Sequence, residues 1–487
     1  MEESEKKSNN YYLTTTLPYV NADPHVGFAL EIVHADIVVR YQRSLGKNVF
    51  FNTGTDEHGM KIFRKAQEEG KDVQQYVDEY ASRFDQLKSL LDVSYTNFIR
   101  TTDPHHVQSA QEFWRRCESN GDIYKKEYRV KYCVGCELEK TDSELDAGVC
   151  PIHPSTPLEE ISEENYFFRF SKYAVPLAQL YDSRPDFVLP ATRQNEIVQF
   201  VRRGLNDFSI SRVKEKMPWG IPVPGDESQV MYVWFDALVN YISAIGWPDR
   251  MDDFAQWWPV VQIAGKDNLR QQSAMWQAML MSAGISPSEQ IIIHGFITSG
   301  GQKMSKSVGN VINPAEIVAE YNALGEGIGT EALRYYLARE LPPFEDGDFT
   351  LARFKDAYNA NLANGLGNLA SRIMKLASTH LEVPTGILTC TAPVEYADAL
   401  VSHDIERAAE TIWYMIGELD RTIQHEQPFK VIKEDVEKGR VMIRDLTRGL
   451  YGIACMLEPF LPKTAEKIKQ AVRNNEMFES PLFPRKE

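Results

Sequence analysis

Apolar positions along the first fifty residues follow two rhythms. The run from Tyr11 to Leu17 is continuous in apolar and β-branched residues, as in a buried strand, whereas Val26, Leu30, Val33 and Ile37 recur at three- and four-residue spacing, as on one face of a helix. Gly46 stops that helix, and Asn48 to Asn52 (NVFFN) resumes a strand. Strand, loop, helix and strand in that order predict a parallel pair. Its loop lies at the carboxyl edge of the sheet, where helix amides face a bound anion, usually a phosphate. The loop is Pro18 to Phe28, PYVNADPHVGF, with His25 and Gly27 at the helix start. Neither GxGxxG nor GxxxxGK is present, which disfavours the dinucleotide and P-loop forms of such a site. A phosphate site containing an imidazole remains.

The alternation continues to about residue 118 and breaks between 119 and 222, where cysteines, prolines and the acidic stretch Glu159 to Glu164 interrupt it. It resumes with MYVWFDALVNYI, VVQIAGKD and QIIIHGF, the last two reading as strands rich in β-branched residues. After Leu351 the pattern is helical. Ile405, Ala408, Ala409, Ile412, Ile416, Leu419 and Ile423 form one stripe, and Met442, Leu446, Leu450, Ile453 and Leu457 another, which predicts a helix bundle. The expected fold is α/β: a split, doubly wound (Rossmann-type) parallel sheet with an insertion, followed by an all-α bundle. Residues 1–118 and 223–298 would form the Rossmann-type domain, 119–222 the insertion, 299–350 a linker domain and 351–487 the bundle.

Composition narrows the partners. The 487 residues are 43% apolar and carry net charge −16, which argues against bulk attraction to nucleic acid or anionic lipid. The acidity is uneven: residues from 351 onward hold 18 basic and 19 acidic groups against 35 and 50 before them, so a polyanion would meet least repulsion at the C-terminal third. MEESEKKSNN has no apolar core of the kind a secretory signal needs, and there is no run of about 18 apolar residues that would span a bilayer. A cytoplasmic protein is expected, with neither membrane nor DNA as partner.

Two clusters carry chemistry. Cys133-x2-Cys136 and, thirteen residues on, Cys150-x2-His153 are two short-spaced pairs of soft ligands, the pattern of a tetrahedral zinc knuckle. In a reducing compartment that crowding favours metal over disulfide. All four positions are filled by protein, so the zinc would be structural. The second cluster is GQKMSKSVGN, in which Lys303, Ser305, Lys306 and Ser307 lie between Gly300, Gly301 and Gly309. Alone it reads as a solvated surface loop; beside a histidine turn it reads as a mobile cationic loop able to close over a triphosphate.

Together, the HVGF turn and the KMSKS loop resemble the paired signatures of class I aminoacyl-tRNA synthetases. Over nearly the whole length the chain is similar to the methionyl-tRNA synthetases, through TLPYVNADPHVGF, NTGTDEHG, the zinc knuckle, ISRVKEKMPWGIPVP, YVWFDALVNY, AGKDN, GGQKMSKS and NLASR. The resemblance implies ATP-dependent ligation of L-methionine to tRNA(Met) by way of methionyl-adenylate, releasing AMP and pyrophosphate. Mg²⁺ would accompany ATP. By the same resemblance Leu17, Tyr19, Asp56, Trp234, Ala237, Leu238, Tyr241 and Gln272 line the amino-acid pocket. His25, Gly27, Phe28, Arg212, Lys303, Ser305 and Lys306 serve ATP and pyrophosphate, with His25, Lys303 and Lys306 catalytic, and Gly265 and Asp267 lie on the nucleoside side. Asn368, Arg372 and Phe429 would meet the anticodon.

Three positions depart from the family pattern. Phe28 stands where the signature has a second histidine, Gln272 where many members have a histidine near the thioether, and Phe429 where tryptophan is common. A synthetase for another apolar amino acid is a competing reading, but about 100 inserted residues leave little room for the editing domain of those relatives. A non-catalytic tRNA-binding paralogue is another. His25, Asp56, Lys303 and Lys306 argue against it, and Phe28 is its only support. The lack of an added C-terminal domain favours a monomer.

Overall fold

A computed structural model describes residues 9–140, 144–304, 309–386 and 388–487, with the backbone alone at 128–130, 138–139, 161 and 303. Contacts divide the chain into two units: Met1–Asp23, Lys47–Gln86 and Tyr95–Ile293 form the first, and Pro24–Gly46, Leu87–Ser94 and His294–Glu487 the second.

The first unit is built on a six-stranded sheet of β1 (Asn10–Thr14), β2 (Asn48–Thr55), β3 (Asn97–Arg100), β4 (Val188–Leu189), β5 (Val261–Gly265) and β6 (Gln290–His294), in spatial order β3-β2-β1-β5-β6-β4. β1 runs parallel to both neighbours, with Leu13 opposite Phe51 on β2 and Val261 on β5. Strands covered on both faces read as near-continuous apolar runs, and all five residues of β5 are buried. The sequence therefore advertised β1, β2, β5 and β6. It did not advertise β4, whose two residues come from within the expected insertion and pair with Ile291 and Ile292 of β6; so short a strand has no periodicity to read. Beside the sheet an aromatic core collects Phe113, Trp114, Phe235, Trp247 and Trp276, all fully buried, with Phe113 stacked on Trp276 at 5.5 Å. Each large ring removed from such a core costs about 3–5 kcal/mol.

The insertion contributes a second sheet. Ile123–Cys133 pairs antiparallel with Glu159–Phe168 over ten positions, and Leu138–Lys140 folds back on its end.

The second unit holds α1 (Val26–Ser44), α2 (Ile328–Arg339), α3 (Asn368–His380), α4 (Ile405–Glu426), α5 (Val436–Leu457) and α6 (Pro462–Asn474). The stripe predicted on α4 is buried at Ile405, Ala408, Ala409, Ile412, Ile416 and Ile423, with Leu419 at its margin. On α5 Ile443 is buried, and Met442, the expected first member of its stripe, is half-buried. α1 and α2 are joined by a buried ion pair. Asp36 Oδ2 takes Nη1 of Arg334 at 2.8 Å and Nε of Arg40 at 2.7 Å, while its Oδ1 accepts from the Ser94 N–H and hydroxyl. Arg334 also donates to the carbonyls of Leu91, Pro459 and Phe460. Cys390 and Cys455 form a disulfide with 5.6 Å between their Cα atoms, a pairing with no sequence signal. No helix among the described residues is long and apolar enough to cross a membrane.

Candidate active site and metal centre

Strand order reverses at the β1/β5 seam, and open α/β sheets bind ligands beyond the carboxyl ends of strands at such a switch point. From β1 the chain passes Leu17 to Tyr19, which bridges Asp56 just past β2; the Asp56 N–H donates to the Pro18 carbonyl at 3.0 Å and the Val20 N–H to the Asp56 carbonyl at 3.3 Å. Asp56 is 3% exposed. Its Oδ1, the Tyr19 hydroxyl and the Trp234 indole N–H have no hydrogen-bond partner among the described residues. Burial, with the carboxylate of Asp236 nearby, pushes the Asp56 carboxyl well above its usual range, and burial raises the Tyr19 phenol likewise. A carboxylate held from water without a cation is costly. A substrate ammonium would relieve it.

Trp234 and Ala237 sit on the short helix Val233–Ala237, Leu238 follows, and Tyr241 lies on the next turn, Asn240–Ser243. The Tyr12 hydroxyl donates to the Tyr241 carbonyl at 2.8 Å and so ties this segment to β1. Gln272, in the π-helical turn Gln271–Met275, donates to the Tyr241 hydroxyl at 2.7 Å. Gly265 closes β5, and Asp267 stands exposed in the turn that follows.

Arg212 is buried in the strand Ser211–Val213, its guanidinium 4.4 Å from the ring of Tyr232 and 5.2 Å from that of Tyr132. It donates to the Ser209 hydroxyl and the Ser211 carbonyl. Tyr132 bonds to Glu137, which also accepts from the Lys61 N–H at 2.9 Å and whose carboxyl is raised by burial. Tyr132, Glu137 and Tyr232 escaped sequence reasoning, since a glutamate between zinc ligands reads as a solvated charge. A second missed group joins two of the quoted segments: Asp236 bridges His58 Nδ1 at 2.8 Å and His106 Nε2 at 3.0 Å. Burial alone would raise the Asp236 carboxyl, but the two imidazoles hold it below its ordinary value.

In the second unit His25 caps α1, its Nδ1 accepting from the Gly27 N–H at 3.0 Å. The ring proton is thereby placed on Nε2. Gly27 leaves room for that ring: a Cβ there would lie 2.7 Å from His25 Cε1, so a larger residue would displace the imidazole. Phe28 leans on the imidazole with ring centres 4.5 Å apart. The Val26 N–H donates to the carbonyl of Ile312, which brings the helix start against the chain that follows the basic loop. A hairpin, Ile297–Ser299 with Gln302–Lys303, leads into that loop, and Asp348 pins it by accepting from the Gly301 N–H at 2.8 Å and the Thr298 hydroxyl at 2.9 Å. The Lys303 side chain, and Ser305, Lys306 and Ser307 entirely, lie outside the described residues.

The four expected metal ligands converge, with all donor atoms within 4.8 Å of one another. Cys136 Sγ lies 3.5 Å from Cys150 Sγ and 3.2 Å from His153 Nδ1, close to the separation of about 3.8 Å between two thiolates on one tetrahedral zinc. Gly135 lies under the imidazole, where a Cβ would come within 2.6 Å of His153 Cγ.

On the bundle, Asn368 begins α3 exposed and Arg372, one turn on, pairs with Asp420 of α4. Phe429 is 40% exposed just after Gln427, whose backbone is left-handed at φ 50°.

A nucleotide-type switch point and a histidine-capped helix beside a glycine hairpin are the architecture of class I tRNA synthetases, and the family model described as tRNA synthetases class I (M) matches residues 11–157 and 139–374. The chain is 39% identical to the methionine–tRNA ligase of Brucella suis biovar 1, over 94% of this chain and 90% of that one. It is 47% identical to that of Thermosynechococcus vestitus over 76% and 69%. Mycobacterium tuberculosis methionyl-tRNA synthetase in complex with methionyl-adenylate superposes with TM-score 0.88 at 33% identity, covering 98% of this chain and all of the other. The chain belongs to the methionyl-tRNA synthetase family.

Proposed function

We propose that this chain ligates L-methionine to its tRNA at the expense of ATP, through methionyl-adenylate, releasing AMP and pyrophosphate. The observation that carries the reading is Asp56: a buried carboxylate at a sheet switch point whose Oδ1 lacks a partner among the described residues suits the ammonium of an amino acid. Leu17, Tyr19, Trp234, Ala237, Leu238 and Tyr241 would enclose the side chain, aromatic surface against a thioether contributing about 0.3–1.5 kcal/mol. Arg212 supplies a cation for the anionic reactants. Gly265 and Asp267 take the nucleoside.

The substrate carboxylate is ionised at neutral pH and needs no general base to attack the α-phosphorus. Catalysis is then positioning and charge stabilisation. His25 Nε2–H donates to phosphate oxygen, Lys303 and Lys306 neutralise the departing pyrophosphate, and the Ser305 hydroxyl donates a hydrogen bond to it. ATP enters as its magnesium complex, which supplies further neutralisation. A terminal adenosine hydroxyl of tRNA next attacks the methionyl carbonyl and AMP leaves. Cys133, Cys136, Cys150 and His153 would hold a structural zinc, since four protein donors leave no open position. Asn368, Arg372 and Phe429 present an amide, a guanidinium and a π-face to anticodon bases.

Exchange of labelled pyrophosphate into ATP, run across the standard amino acids, tests the proposal. Exchange with methionine is expected. Exchange with leucine or valine instead would remove the specificity, and none with any amino acid would remove the enzyme.

A further inference from the structure

Of the six cysteines, four are accounted for by their positions. Cys133, Cys136 and Cys150 converge with His153, and Cys117 is fully buried, where burial pushes its thiol up to about 12 and leaves it inert. The other two, Cys390 and Cys455, are joined across 65 positions of chain, with 5.6 Å between their Cα atoms. Their surroundings differ. Cys390 is exposed on the connection between α3 and the helix Val394–Val401, while Cys455 is half-buried in the last turn of α5, beside the buried Ala454 and Met456. Hydrogen bonds fasten that connection at both ends. At its start Arg440 of α5 donates to the His380 carbonyl and to Glu382, and Asn475 donates to the Leu381 carbonyl. At its end the Tyr396 hydroxyl donates to the Met456 carbonyl at 2.9 Å. Among the described residues from 383 to 392, none makes a hydrogen bond to α5. The disulfide is the bond that holds them to it. One turn beyond Cys455 the carbonyls of Pro459 and Phe460 accept from Arg334, so this clasp closes on the element that anchors the buried ion pair with Asp36.

We propose that Cys390 and Cys455 are a thiol–disulfide exchange site, through which dithiols and small disulfides in the surroundings set the stability of the helix bundle. The placement of the two sulfurs dictates the order of events. A thiolate of a dithiol reductant attacks the exposed Cys390 Sγ, the S–S bond breaks, and Cys455 Sγ leaves with the electron pair and takes up a proton. The second thiol of the reductant, as thiolate, attacks the mixed disulfide and releases Cys390, which is protonated in turn. Two electrons and two protons have then passed to the protein, and the dithiol has become a disulfide. Glutathione disulfide carries the sequence in reverse and becomes two thiols. Cys455 is a reluctant leaving group, because the partial negative charge at the carboxyl end of a helix disfavours a thiolate there. Opening is therefore slow, and the clasp persists until a dithiol traps the mixed disulfide. Once it is open, the long loop it closed regains its freedom in the unfolded chain, and the bundle loses stability accordingly.

The experiment takes the full chain as purified, equilibrates it in glutathione disulfide or in dithiothreitol, blocks free thiols by alkylation, and reads tryptic peptide masses and the unfolding temperature. Cleavage after Lys375, Arg407, Arg448 and Lys463 puts Cys390 and Cys455 on separate peptides that carry no other cysteine. Those peptides should be joined in glutathione disulfide and separate in dithiothreitol, and the reduced chain should unfold several degrees lower. Cys390→Ser should unfold at the lower temperature in both buffers, and any shift it retains measures the cysteines near His153 and is subtracted. Cys455→Ala serves in its place should that variant not fold. Peptides that stay separate in glutathione disulfide while the chain is folded overturn the site. Peptides that stay joined in dithiothreitol under the same condition overturn the exchange. Joining that leaves the unfolding temperature at that of Cys390→Ser overturns its effect on the bundle. None of these readouts requires ligase activity, so a failure of the proposed reaction would leave them intact.

Discussion

Asp56 shows how much one side chain can disclose. Its carboxyl is raised well above the ordinary value when no substrate is present, first by burial and then by Asp236. A bound ammonium would hold it ionised, so methionine binding should release a proton. The apparent affinity should weaken as pH falls, because the free site then holds its proton more firmly. Calorimetry in two buffers of different ionisation heat, repeated at descending pH, reads the released proton directly, and heats that stay independent of the buffer as pH falls would show that Asp56 is not the ammonium partner. Asp56 was singled out through the family resemblance of its segment and His25 by its place in the histidine turn; the structure buries the first and makes the second a helix cap. Glu137, Tyr132 and the Asp236–His58–His106 group were not legible. Their meaning depends on which buried neighbours surround them, and chain spacing does not encode that.

At the level of elements, periodicity identified what is long and missed what is short. The nineteen residues of α1 and the twenty-two of α4 display their stripes, while the two of β4 could have been any turn. The placement of α1 by contacts could not be read at all, for it lies between β1 and β2 in the chain yet is anchored through Asp36 to Arg334 of α2. Burial opposes ionisation of Asp36, but Arg334, Arg40 and the Ser94 bonds outweigh it and keep the carboxyl below its usual value. Removing one partner strands the other charge in the interior, so Asp36→Ala should cost about 3–5 kcal/mol in urea unfolding. Asp36 binds a proton less readily folded than unfolded, and Asp236 does the same. Their stabilisation is present above the unfolded value of about 3.9 and is lost as pH falls through the lower folded values. The acid limb of the Asp36→Ala variant should be correspondingly shallower, and an unchanged limb would remove Asp36 from that account.

Over the whole molecule, a net charge of −16 coexists with a proposed polyanionic substrate because the acidic excess is concentrated before residue 351. Contacts with tRNA would be local ones on a nearly neutral bundle. The four converging ligands are likewise a whole-molecule matter, since a metal held there would secure the hairpin Ile123–Lys140 on which Tyr132 and Glu137 ride. Purified protein is expected to hold one zinc per chain by elemental mass spectrometry and to lose it on Cys136→Ser, with methionine activation falling as those residues shift. A metal-free, fully active wild-type preparation would contradict this.

The fourfold grip of Arg334 bears on whether the chain can be divided. Its guanidinium holds Asp36 on the helix that begins at His25, and with its other nitrogens the carbonyls of Pro459 and Phe460 beyond α5. A protein whose catalytic and recognition parts were separable modules could be cut between them. Here a cut at residue 350 would strip two acceptors from a buried cation and open the foot of α1 to water. Such a fragment is expected to be insoluble or unfolded, and a soluble, cooperatively folding 1–350 would show the opposite. The segment beyond residue 350 is thus part of the scaffold of the signature helix, and exchanging it would require refitting that helix as well.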